Sequence, residues 1–341
     1  MNIVKNNIFM ILLLVVVVVG VFSPFRNTET IENNDSTKAG IETRKVKEKN
    51  NFCKKIEVAE NFVDSTGHYT DIPILAKSAV VYDATNDRVL FGKDLHTPRP
   101  LASLTKVLTA TTALSVIDGE SLISIPEYAL GDHFDNFTIG EKWRVKDLAS
   151  YALITSSNDA ARALGIGTAT FFEKEYLHES FPKNGDTVAM FIDAMREKAR
   201  QYYMDETVDY GIKSMSGLDT KEGLPSVVGT MLEASQLMLC AFTEYPGVLI
   251  TTKTSESAFV SGDNKTYEAV NTNSIISQIP SLVFSKTGYT LQAGGNLMIG
   301  FTTENKHLIL VGVLGSTKEA RFTDVLLLTQ ATQNLLQKLE L

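Results

Sequence analysis

The chain of 341 residues carries 32 Lys and Arg against 40 Asp and Glu, a net charge of −8, with 44% apolar residues and two cysteines. That length supports one large domain or two ordinary ones with a full core, and the acid excess argues against a nucleic-acid partner, because coating a polyanion needs clustered Lys and Arg. Two cysteines cannot form a disulfide framework, and five scattered histidines without a paired ligand spacing leave no visible ligand set, so neither a metal nor a cofactor is expected. Cys240 lies in the apolar run 237–242 and reads as a core residue, whereas Cys53 sits in a polar stretch.

Residues 8–22 form an unbroken apolar run of fifteen, preceded by Lys5 and extending to eighteen at Phe25 if Ser23 and Pro24 are counted. The run lies between the length of a signal-peptide core and that of a full span, and Val21-Phe22-Ser23-Pro24-Phe25 lacks a small-x-small cleavage site. The expectation is an N-terminal membrane anchor at residues 1–25, or a signal segment if it is cleaved, with Lys5 held on the cytoplasmic side and the rest exported. Residues 26–60 mix eight basic and seven acidic side chains with few large apolar ones, which predicts a solvated linker. Segments 1–25 and 26–60 each carry one net positive charge, so a folded domain over 61–341 holds −10.

That domain opens with two β-rich runs, 78–83 and 88–93, about the polar turn Ala84-Thr85-Asn86-Asp87, a hairpin signal. Pro98 and Pro100 stop any strand, and a helix is predicted from Ser103 through Leu114, with Leu104, Val107, Leu108 and Thr111 at helical spacing. Helices are then expected over 145–154, 159–164, 188–203 and 230–242, and strands return only at 283–284, 296–302 and 307–314. The closing segment 317–339 has helical spacing. The order predicts an α+β fold, with an antiparallel sheet assembled from both chain ends, flanked by helices, and a helical region inserted between.

Three motifs carry chemistry. Ser103-Leu104-Thr105-Lys106 begins where the prolines end, and a spacing of three on a helix lets the lysine amine reach the serine hydroxyl. A neutral Lys106 could then activate Ser103 as a nucleophile, the alternative being a helix-start serine with a surface lysine. A second match, Ser180-Phe181-Pro182-Lys183, has the marks of a loop. Ser156-Ser157-Asn158 offers a hydroxyl and an amide two residues apart, able to relay a proton and hold a substrate amide, or simply to cap the helix that follows. Lys286-Thr287-Gly288 would present a cation and a hydroxyl to a carboxylate from a strand edge, with Gly288 admitting a substrate backbone, unless it is a plain strand-end turn.

In this chain order the three motifs form the set shared by class A β-lactamases and penicillin-binding proteins. With Ser78-Ala79-Val80-Val81-Tyr82-Asp83, Arg99-Pro100-Leu101-Ala102-Ser103, Ser216-Gly217-Leu218-Asp219 and Lys286-Thr287-Gly288-Tyr289-Thr290, residues 76–335 closely resemble the low-molecular-mass D-alanyl-D-alanine carboxypeptidases. The resemblance implies a β-lactamase/transpeptidase-like fold and a serine peptidase acting on the D-Ala-D-Ala end of peptidoglycan stem peptides, with β-lactam antibiotics as covalent inhibitors. It implies Ser103 as nucleophile, Lys106 as its base, Ser156 and Asn158 as proton relay and amide holder, and Lys286 as electrostatic support. It further implies an oxyanion hole from the backbone N–H groups of Ser103 and Tyr289, Thr287 facing the terminal carboxylate, and Arg321 as a carboxylate-binding residue.

Three other readings accompany it. A D,D-endopeptidase would use the same motifs on cross-links. A β-lactamase of class A would need a deacylating Glu in Glu-x-x-Leu-Asn, which does not occur here. A catalytically silent wall-binding protein would ordinarily have lost Ser103, Lys106 or Lys286, and all three are present.

Overall fold

The computed structural model describes residues 53–59, 64, 66–131, 135–176 and 187–338. The N-terminal apolar run, most of the linker and the second Ser-x-x-Lys at 180–183 lie outside the described residues. In chain order the elements begin with β1 (Ser78–Asp83), β2 (Arg88–Lys93) and β3 (Arg99–Pro100), followed by a 3₁₀ turn at Ala102–Leu104 and α1 (Thr105–Val116). β4 (Leu122–Ser124) and β5 (Lys142–Arg144) precede α2 (Val145–Thr155), α3 (Asn158–Tyr176), α4 (Thr187–Gln201) and α5 (Asp205–Tyr210). After β6 (Val228–Gly229) come α6 (Met231–Glu244), α7 (Pro246–Leu249), the pair β7 (Glu256–Val260) and β8 (Thr266–Val270), then β9 (Leu282–Thr290), β10 (Gly294–Thr302), β11 (Leu308–Ser316) and α8 (Ala320–Lys338).

Both chain ends build the main sheet, as the order of elements predicts. Among the described residues its order is β2-β1-β11-β10-β9, antiparallel throughout. Because side chains alternate along a strand, each inner strand serves two cores. Ala79, Val81, Leu297, Ile299, Val311 and Val313 pack with Val325 and Leu328 of α8. Val80, Tyr82, Met298, Leu310 and Leu314 face the helical side with Val107, Leu108 and Leu237. Coverage on both faces explains why β1, β10 and β11 read as nearly continuous apolar runs rather than alternating ones.

On the helical side α1 is buried all round, with every residue from Thr105 to Ala113 below the surface. Three of its four threonine hydroxyls are satisfied inside the protein: Thr111 donates to the Val107 carbonyl (3.0 Å), Thr112 to that of Leu108 (2.7 Å) and Thr109 to that of Met215 (2.6 Å), whereas the buried Thr105 hydroxyl has no protein partner among the described residues. Neighbouring α6 starts with a capping box, Thr230 accepting from the Glu233 N–H while Glu233 accepts from the Thr230 N–H.

Two expectations are corrected. Strands do not wait for Val283, since β3–β6, β4–β5 and the hairpin β7–β8 pair before it. The inward positions of β7 and β8 are only Ser257, Phe259, Tyr267 and Ala269 against an exposed opposite face, too little apolar signal to stand out. The polar linker also ends earlier than residue 60. Residues Cys53–Leu341 form one compact unit, and Cys53 is disulfide-bonded to Cys240, 187 residues away. Gln236 on α6 seals this contact, donating to the Lys54 carbonyl (2.8 Å) and accepting from the Ile56 N–H (2.7 Å), while Ile56 is buried. Cys240 is therefore a core residue and a cross-link at once.

Closing so long a loop removes much unfolded-state freedom, a contribution of about 2–5 kcal/mol. Reduction, or Cys53→Ser with Cys240→Ser, is expected to lower Tm by roughly 5–15 °C. A thermal melt unchanged by reductant would show that residues 53–59 add no stability through this bond.

Candidate active site

Ser103 sits in the 3₁₀ turn that leads into α1, and Lys106 lies one turn later on the buried side of that helix, 1% exposed. The Lys106 Nζ is 2.8 Å from Ser103 Oγ, 2.8 Å from Asn158 Oδ1 and 2.7 Å from the Ser216 carbonyl. Two of these partners, the amide oxygen and the carbonyl, can only accept. A neutral amine has two hydrogens for them and a lone pair for the hydroxyl of Ser103.

The turn carrying Ser103 is held in an unusual shape. Ala102 has φ +49°, in the left-handed region that non-glycine residues rarely occupy. The loop after α5 presses on it: a Cβ at Gly217 would stand 1.9 Å from the Ala102 carbonyl oxygen, so only glycine fits there. The same loop delivers the Ser216 carbonyl to Lys106 and is tied down by Asp219, which accepts from Thr290 Oγ1 at 3.0 Å.

Between α2 and α3 the three residues of Ser156-Ser157-Asn158 divide their tasks. Ser156 ends α2 in the left-handed conformation (φ +59°) and its Oγ accepts from Lys286 Nζ at 2.8 Å. Ser157 is the cap, accepting from the Ala160 N–H (2.9 Å) and donating to Asp135. Asn158 opens α3 and reaches Lys106. The capping and functional readings of this motif thus fall on different residues.

Lys286, Thr287 and Gly288 lie on β9, the edge strand of the sheet. Lys286 is 1% exposed, and its Nζ also donates to the Thr287 carbonyl (2.9 Å). Burial first, then the neighbouring charges of Lys106 and Arg321, hold its pKa well below the usual lysine value. Thr287 Oγ1 is 2.6 Å from Thr272 Oγ1. A Cβ on Gly288 would lie 3.1 Å from the Leu101 carbonyl oxygen and 3.3 Å from the Ser103 nitrogen. Gly288 thus permits a close approach of the chain's own Leu101–Ser103 turn to β9. Tyr289 is partly exposed, with Lys318 Nζ 5.3 Å from its ring centre.

Arg321, at the start of α8, is buried. One terminal nitrogen donates to the Gly288 carbonyl at 2.7 Å, and its Nε is buried with no protein acceptor. All nine residues singled out from the sequence therefore connect to one region, Tyr289 through its place on β9. Three contributors were not assigned a role from the sequence: the Ser216 carbonyl, Gly217 and Asn296, which is treated below. Backbone carbonyls carry no residue signature, and Ser216-Gly217 stood out only through the family resemblance. Among the described residues no group of three or more His, Cys, Asp or Glu side chains could hold a metal ion.

Comparison with known proteins agrees with this geometry. The profile of peptidase family S11, D-alanyl-D-alanine carboxypeptidase, matches residues 65–171 and 183–318. The D-alanyl-D-alanine carboxypeptidase DacF of Bacillus subtilis is 24% identical over 257 residues, covering 73% of this chain and 60% of its own length. A D-alanyl-D-alanine endopeptidase of Escherichia coli is 26% identical over 260 residues, covering 74% of this chain and 75% of its own. In fold, the D-alanyl-D-alanine carboxypeptidase from Mycobacterium tuberculosis superposes with a TM-score of 0.64 at 22% identity over 80% of this chain and 96% of that one. The ampicillin-bound penicillin-binding protein D2 from Listeria monocytogenes does so with 0.61 at 24%, over 76% and 98%. The α+β architecture is thus that of the penicillin-binding and D,D-transpeptidase proteins, and the chain belongs to the D-alanyl-D-alanine carboxypeptidase family of serine peptidases.

Proposed function

We propose that this protein is a serine D-Ala-D-Ala carboxypeptidase that trims peptidoglycan stem peptides outside the cytoplasmic membrane. The observation that carries the reading is the contact of Lys106 Nζ with Ser103 Oγ at 2.8 Å, on a lysine buried with no carboxylate among its described hydrogen-bond partners. Ser103 Oγ attacks the carbonyl carbon of the penultimate D-alanine while its proton passes to Lys106. The oxyanion forms against the backbone N–H groups of Ser103 and Tyr289. Collapse breaks the C–N bond, and the leaving amine takes a proton through Ser156, which Lys286 orients. Free D-alanine departs, and water then resolves the ester on Ser103. Arg321 brings positive charge to the side where Thr287 would meet the terminal carboxylate, and Lys286, its pKa held well below the usual lysine value, adds hydrogen-bond donors there. β-Lactams would acylate Ser103 by the same attack.

A second reading is cleavage of cross-links, favoured by the similarity to the endopeptidase of Escherichia coli. It uses the same residues on a D-alanyl bond to a neighbouring stem. A cross-linked dimer assayed beside a pentapeptide separates the two. D-Alanine release from a pentapeptide ending in D-Ala-D-Ala, and covalent uptake of penicillin, are expected to fall to background in Ser103→Ala. Persistent labelling of that variant would remove Ser103 from the role.

The location belongs to the same proposal. An apolar run at 8–22 supports an N-terminal membrane segment, and the Cys53–Cys240 bond supports an oxidising compartment, since such bonds are rare in the cytosol. Among the described residues no helix is long and apolar enough to cross a membrane; the segment proposed as the anchor, residues 1–25, lies outside them. A truncation that begins just before Cys53 is expected to be soluble and to release D-alanine at the full-length rate, whereas the full chain sediments with membranes until detergent is added. A full chain that stays in the supernatant without detergent would overturn the anchor.

The depressed pKa of Lys286 also makes stability depend on pH. Between its folded pKa and the ordinary 10.5, the unfolded chain binds the proton that the folded one has lost, so this residue's contribution to stability rises with pH across that interval. In Lys286→Met the contribution is absent. The Tm of the wild type relative to this variant is expected to climb between pH 7 and pH 10, and a constant difference would show that Lys286 stays charged on folding.

A further inference from the structure

Asn296 lies on β10 and is fully buried. It stands opposite Gly288 in the β9–β10 register, and its Cβ would be 3.3 Å from a Cβ built on that glycine. All the hydrogen bonds described for its side chain go to backbone groups. Its Nδ2 donates to the carbonyls of Pro100 (3.0 Å) and Leu101 (3.1 Å), which enter the turn carrying Ser103. Its Oδ1 accepts from the Gly315 N–H at 2.9 Å.

The last of these bonds belongs to a defect in the sheet. The β10–β11 ladder runs Gly295 to Ser316 and then Leu297 to Val313, so that Leu314 and Gly315 together oppose Asn296. This is a β-bulge with Gly315 at φ +68°, of the kind that re-aims side chains beside active sites. At the bulge the Gly315 N–H meets the Asn296 amide, and the other end of that amide holds the nucleophile turn.

We propose that Asn296 is a positioning residue, acting through the Leu101–Ser103 turn to set the spacing between Ser103 and β9, and so between the two backbone N–H groups that would stabilise the oxyanion. The inference rests on the serine peptidase reading. Its consequence is specific to the chemical step. Loss of the two donors lets the turn shift relative to β9, and misplacement of reacting groups by about 1 Å lowers rates on the order of 100-fold while leaving reversible binding alone.

Stopped-flow acylation by a penicillin measures the two quantities separately. Asn296→Ala is expected to reduce the limiting acylation rate on the order of 100-fold with the pre-acylation dissociation constant within about threefold of wild type. Asn296→Asp keeps an acceptor for Gly315 and removes both amide donors, so it is expected to show the same loss and serves as the second variant if the alanine form does not fold. Val311→Ala, a cavity in the α8-facing core of the same sheet, is the control for general weakening, expected to lower Tm without slowing acylation. Wild-type acylation in the folded variants, or an equal slowing in Val311→Ala at matched Tm, would overturn the positioning role. A wild-type protein that takes up no penicillin would overturn the serine peptidase reading and this inference with it.

Discussion

Two lysine side chains, Lys106 and Lys286, are each 1% exposed in one site, and the rest of the site is arranged around that fact. Taking an ammonium out of water costs several kcal/mol even after relaxation, and two side by side repel as well. The hydrogen-bond partners described for them are hydroxyls, an amide oxygen and backbone carbonyls, which suit an amine as well as they suit a cation. A third buried lysine shows the other solution. Lys198 is paired with the Glu244 carboxylate at 2.6 Å under the rings of Tyr202 and Tyr245, so a counter-charge opposes the burial that still holds its pKa below the usual lysine value. Lys106 and Lys286 instead each have a hydroxyl within reach, so a neutral amine in this setting would be a base already aimed at a proton.

That arrangement needs the helical region and the sheet to meet with little tolerance, and glycines mark where they do. Gly288 lets the edge strand β9 come within van der Waals distance of the nucleophile turn, and Gly217 lets the Ser216 loop lie on the Ala102 carbonyl. A methyl group at Gly217 would overlap the Ala102 carbonyl, and one at Gly288 would crowd the Leu101–Ser103 turn. The motif Lys-Thr-Gly is thus partly a statement about substrate and partly one about how closely two pieces of the same chain must approach.

Much of this was legible in the sequence. The flanking strands, the buried helix behind Ser103 and the three motifs all leave signatures in apolar spacing or side-chain chemistry. What was not legible has a common physical character. The Ser216 carbonyl is a backbone group, the β10–β11 bulge is a matter of register, and the partnership of Cys53 with Cys240 joins residues 187 apart through a fold that composition does not specify. Gly288 shows the same limit from the other side, since its small size was evident but its contact with the Leu101–Ser103 turn was not.

Strain in the site and rigidity around it are two sides of one design. Ala102 and Ser156, on either side of the paired lysines, both sit at positive φ, a departure worth about 1–3 kcal/mol each for residues other than glycine. Neither departure is relieved locally: Ala102 is pinned by the Gly217 loop, and Ser156 by its place between α2 and α3 and by Lys286. Stability to hold them comes from elsewhere, from a sheet buried on both faces and from a disulfide that fastens residues 53–59 to α6. Substitutions that relax the two backbone positions or replace the buried lysines by apolar residues should therefore tend to stabilise the fold as they disable the chemistry.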